Sequence, residues 1–151
     1  MAPRVEVADL QGRPLDLAGL ERVAAGVLAA EGRPEVELSL TLVDDAAMAE
    51  LHQRFSGEPG PTDVLAFPLD EGPHPPGMPV LLGEVVVCTD VAAREAAERG
   101  LPFAEEVARY VVHGTLHLLG WDDHEEAERE AMHARQEALL ASLVAPPPAP
   151  G

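Results

Sequence analysis

The chain has 151 residues, 46% of them hydrophobic, and carries 27 Asp plus Glu against 10 basic residues for a formal net charge of −17. That is the length of one domain with room for a core of its own, and no apolar run approaches the roughly 20 residues that cross a bilayer. With no lysine and a single cysteine, Cys88, it excludes an internal disulfide framework and works against nonspecific attraction to nucleic acid, though not against a local basic cleft.

Taken in chain order, Val5-Glu-Val7 alternates and reads as an edge strand. Leu15 to Ala30 places apolar residues at 17, 20, 23, 24, 27 and 28, a helical period stopped by Gly32-Arg-Pro34. Glu35 to Val43 alternates as a strand with one buried face, and Asp44 or Asp45 caps a short helix running to about Phe55. Ser56 to Pro61 is a loop by composition, and Thr62 to Pro68 a second strand entered from it. Glu71 to Pro79, rich in proline and glycine, is expected to be an exposed connection.

Leu81 to Cys88 is nearly all apolar at its end and is expected at the centre of the sheet. Thr89 or Asp90 is expected to cap a helix from about Val91 to Arg99. Pro102 suits the first turn of the next helix, which carries Val107, Val111, His113 and His117 and ends at Gly120. Glu125 to Leu143 makes a last acidic amphipathic helix. The architecture expected is α+β: one small mixed sheet covered largely on one side by helices, with residues 1–143 as a single domain and 144–151 as a disordered Pro-rich tail. The N-terminus lacks a signal-peptide core, so the expected compartment is the cytoplasm.

The chemistry concentrates in His113-Gly-Thr-Leu-His117-Leu-Leu-Gly-Trp-Asp-Asp-His124. Two histidines four apart on a helix share a face, so both rings can grip one ion. The plain alternative is a pair of surface histidines. Against it stand the apolar neighbours Val111, Val112, Leu116, Leu118 and Leu119, since polar rings in a buried region need partners. Gly114 beside the first ring allows another element to approach closely. Three protein ligands with an open position mark a catalytic zinc site. The third ligand is expected to be His124, with Asp123 either replacing it or orienting a ring; zinc is the first metal to consider, with nickel, manganese and iron open. Zinc proteases carry a general-base glutamate directly after the first histidine; here Gly114 stands there, which weakens a protease reading. Glu84 and Asp63 are then the candidate bases from other segments.

Together with Pro61-Thr-Asp-Val-Leu-Ala-Phe-Pro68 and Leu82-Gly-Glu-Val-Val-Val-Cys88, the histidine segment resembles the YbeY family of bacterial endoribonucleases and rRNA maturation factors, in matching order and separation, from about Val36 to Leu140. The resemblance implies a compact α+β fold, one metal held by His113, His117 and His124, and processing of ribosomal RNA in small-subunit maturation and ribosome quality control. Two departures stand out. The family has one residue fewer between its second and third histidines, so Asp123 occupies the expected position. The loop before the Thr-Asp block there carries an arginine that serves RNA handling, where this chain has Ser56, and His52 replaces an asparagine. Arg54, two residues earlier, would point about 200° away on a helix.

The remaining candidates have simpler readings. Thr62 and Asp63 suit a turn cap, Cys88 a small core residue, and His74 and His133 solvated positions. Two functions follow as expectations: a single-metal endoribonuclease acting on rRNA, or a ribosome-assembly factor whose metal ties the last helices together.

Overall fold

The computed structural model describes residues 3–69 and 80–144. The elements are β1 (Arg4–Asp9), α1 (Leu17–Ala30), β2 (Val36–Val43), α2 (Asp45–Ser56), β3 (Val64–Pro68), β4 (Val80–Cys88), α3 (Thr89–Arg99), α4 (Phe103–Leu118) and α5 (Glu126–Leu143). The strands form one sheet in the order β1-β2-β4-β3. β1 and β4 run parallel to β2, and β3 is antiparallel to β4, so the sheet is mixed, as the sequence suggests. The expected Glu71–Pro79 connection, His74 and the tail beyond Val144 lie outside the described residues.

Strand periodicity decides the layers. On β2, Val36, Leu38, Leu40 and Leu42 point to one face, where they join Val85 and Val87 of β4 and the buried sides of α1, α4 and α5. Among the described residues, the other face carries a smaller cluster, with Met48 of α2 over Val43, Val86 and Cys88. Burial pushes the Cys88 thiol up to about 11, consistent with a core residue.

Two helix starts, those of α3 and α4, differ from the expected ones. α3 starts at Thr89 behind Cys88 with no side-chain cap. Thr89 instead donates to Gln11 Oε1 at 2.9 Å, while Asp90 accepts from the Asp45 amide at 2.9 Å and from Arg13 at 3.0 Å. Tertiary partners have taken both caps. Pro102 sits just outside α4 in extended backbone, its carbonyl accepting the first helical bond from Glu106. On α2, by contrast, Asp44 caps as expected by accepting from the Ala47 amide at 2.9 Å.

α4 lies against β3 and β4, and Gly114 marks the tightest point. A Cβ there would stand 2.6 Å from Val85 Cγ1 and 3.0 Å from Val64 Cγ2. Both neighbours are strand residues that cannot swing away, so the close approach foreseen beside His113 is real. Gly114→Ala should therefore destabilise the fold by about 1–3 kcal/mol through overpacking, read as a lower midpoint in urea, even though alanine is the better helix former.

Candidate metal centre

α4 is amphipathic by construction: Val107, Val111, Val112 and Leu116 are buried, and His113 and His117 emerge half-buried near its C-terminal end. The helix then stops in a defined way. The Trp121 amide bonds back to the Leu116 carbonyl and the Gly120 amide to the His117 carbonyl, both at 3.1 Å, with Gly120 at φ 100°. This pairing is a Schellman C-cap, whose left-handed residue favours glycine. It reverses the chain and brings the segment after Trp121 back to the imidazoles.

The two rings meet edge to face, with centroids 4.6 Å apart and Nε2 to Nε2 at 3.1 Å. Asp123 Oδ2 lies 3.4 Å from His117 Nε2. His113, His117 and Asp123 thus form a group whose ligand atoms all lie within 4.8 Å of one another. A tetrahedral zinc with bonds of about 2.05 Å would set its ligand atoms about 3.3 Å apart, so these spacings fit a small divalent ion. The structure brings His113 and His117 together as the sequence predicts, and adds Asp123 rather than His124. His124 is exposed and faces Asp122 at 3.2 Å, in a neighbouring group with Asp122 and Asp123.

A relay fixes which nitrogen His113 presents. Its Nδ1–H donates to Gln136 Oε1 at 2.7 Å, and Gln136 turns its amide nitrogen to Glu137 Oε2 at 3.0 Å. A carboxylate only accepts, so the amide oxygen must face the ring and His113 Nε2 keeps its lone pair. Glu137 is held in turn by Arg109 through two bonds, at 2.9 and 3.2 Å, and Arg109 also binds the buried Glu106. Burial pushes the Glu137 carboxyl up, but the hydrogen bonds from Arg109 and Gln136 prevail and hold it below the usual range. Burial likewise opposes the charge on Arg109, yet Glu137 and Glu106 raise its pKa.

The other candidates fall elsewhere. Glu84 accepts from Thr41 at 2.8 Å and, one residue from Val85, lies on the opposite face of the sheet from α4. Asp63 accepts from the next amide, that of Val64, at 2.7 Å and from the Thr62 hydroxyl, which holds it locally at the entry to β3. Ser56 ends α2 and Arg54 pairs with Glu50 one turn back. His52 donates to the Gly60 carbonyl at 2.9 Å and so pins the loop to α2. Gln136, Glu137 and Arg109 escaped the sequence reading. The Glu105-Glu106-Arg109 spacing on α4 is a readable signal, whereas Gln136 meets His113 only through helix packing.

Fold and site together define a small α+β protein with a two-imidazole, one-carboxylate donor set at a helix end. The family model described as endoribonuclease YbeY matches residues 11–144. An endoribonuclease YbeY of Thermobifida fusca is 46% identical over 142 residues, spanning 91% of this chain and 92% of its own length. One from Mycobacterium tuberculosis is 44% identical over 149 residues, spanning 93% and 84%. A solution structure of a Thermotoga maritima protein superposes with a TM-score of 0.64 at 28% identity, covering 93% of this chain and 88% of that one. The chain belongs to the YbeY endoribonuclease family.

Replacing the buried Gln136 by leucine keeps its volume and removes the tether on His113. Gln136→Leu should lower metal affinity about 10–100-fold, measured by competition titration with a zinc chelator, with the far-ultraviolet circular dichroism unchanged.

Proposed function

We propose that this protein is a metal-dependent endoribonuclease, with zinc as the ion, which cleaves ribosomal RNA in the cytoplasm during 3′-end maturation of the small-subunit 16S rRNA and in ribosome quality control. Family membership supports RNA as the substrate, and the converging donor atoms at 3.1 and 3.4 Å support the metal. No described helix is long and apolar enough to cross a membrane.

In this reading His113 and His117 present Nε2 to the ion and Asp123 supplies the third ligand, leaving a fourth position for substrate or water. When bound, a divalent ion polarises a phosphoryl oxygen and lowers the pKa of a water molecule. The chain's own contribution is orientation and charge. Gln136 holds His113 in the tautomer with a free Nε2, and Asp123 offsets one of the ion's two charges, so the centre keeps a net positive charge toward a phosphodiester. His124 remains the alternative third ligand and would need the turn at 122–124 to swing its exposed ring inward. Gly114, standing where zinc proteases carry their base, weighs against peptide hydrolysis.

A second reading has an observation of its own. The formal charge of −17, with Arg54 bound to Glu50 near the Ser56 position, favours an assembly factor whose metal ties α4 to the turn before α5. Cleavage of a single-stranded rRNA fragment by purified protein separates the two. In the endoribonuclease reading it stops with chelator, returns with zinc, and is lost in His117→Ala; RNA binding without any metal-dependent cleavage selects the assembly factor. For the third ligand, Asp123→Ala should weaken zinc binding at least about tenfold while His124→Ala leaves it nearly unchanged. The reverse order in the same titration assigns the ligand to His124.

A further inference from the structure

The fate of the positive charges singles out one residue. Among the described residues, every arginine except Arg129 lies within ion-pair distance of a carboxylate. Arg129 forgoes such a partner in an acid-rich stretch, with Glu125 and Glu126 within one helical turn of it and Glu128 and Glu130 adjacent in sequence. Its guanidinium instead reaches back toward the site, Nε donating to the Asp123 carbonyl at 3.4 Å. With His113, Asp123, Met132, His133 and Gln136 it lines a pocket of about 160 Å³. At ~30 Å³ per water molecule that is roughly five waters, room for a phosphate group.

We infer that Arg129 is a substrate-binding residue that contacts a backbone phosphate of the RNA strand beside the metal centre; this rests on the endoribonuclease reading. Arg54, the nearest cation to Ser56 in sequence, is bound to Glu50 on α2, so α5 supplies the cation in its place. Guanidinium suits the task because its planar donors match phosphate oxygens in pairs. Its position is also favourable electrostatically: a chain of charge −17 repels RNA at long range, and Arg129 beside a bound divalent ion makes one locally positive point where a strand can dock. The single bond to the Asp123 carbonyl is long and uses one of five N–H donors, leaving the rest for a ligand.

The test measures binding of a short fluorescent 2′-O-methyl RNA strand to zinc-loaded protein across a salt series, alongside zinc affinity. Arg129→Gln should weaken RNA binding about three- to tenfold at low salt and flatten the slope of log affinity against log salt by about 0.7. Arg129→Lys should restore most of that slope because it keeps the charge. Arg54→Gln should bind as the unaltered protein does, and none of the three should change zinc affinity. RNA binding by Arg129→Gln equal to that of the unaltered protein overturns the inference. So does a fall in zinc affinity that matches the fall in RNA affinity, which makes Arg129 a tether for the Asp123 turn. If the unaltered protein fails to bind RNA at all, the endoribonuclease reading falls and takes this one with it.

Discussion

The seating of α4 on the sheet is the contact on which the rest depends. This helix touches α1, α3, α5, β3 and β4, and its buried face supplies the middle of the larger core. At Gly114 the helix backbone comes within van der Waals reach of Val85 and Val64, closer than any side chain would allow. Because His113 adjoins that glycine and His117 follows one turn later, the packing that stabilises the fold also fixes both imidazoles in space. Stability and site geometry are therefore set by the same few atoms.

What the helix fixes, its C-cap completes. A helix alone can offer two ligands on one face, but a third must come from outside its own periodicity. The Schellman turn at Leu119-Gly120-Trp121 provides that by folding the chain back within three residues, with Trp121 packed against the core. The return path is short enough that a single residue decides which side chain arrives. Asp123 reaches His117, while His124, next along, faces Asp122 at the surface. An imidazole in that place would leave a bound divalent ion its full charge, whereas a carboxylate would remove one unit.

Charge shows the same economy on a larger scale. Every described arginine but Arg129 pairs with a carboxylate, and the most buried of these contacts, Glu106 with Arg109, extends through Glu137 and Gln136 to His113. Each group in that chain has its hydrogen-bonding needs met by the next, which is what allows a charged pair to lie at the α4–α5 contact without an unsatisfied atom. The network thus spans from the interior of the helix layer to the His113 ring of the candidate donor group.

Local pattern was enough for much of this. Period-two alternation in residues 36–43, the apolar run ending at Cys88 and the four-residue spacing of His113 and His117 determined the strands, the helix layer and the meeting of two candidate donors, because each depends on neighbours along the chain. The caps of α3 did not follow, since Thr89 and Asp90 bond to Gln11, Asp45 and Arg13 from distant segments. Gln136 lies 23 positions from His113 and meets it only when α5 docks on α4. The placing of Asp123 with the histidines likewise came from the geometry of the turn, where a rotation of one residue changes the side chain presented. Sequence alone determined which groups have the right chemistry; the tertiary structure decided which of them converge, because convergence depends on helix packing and chain reversal that no spacing rule contains.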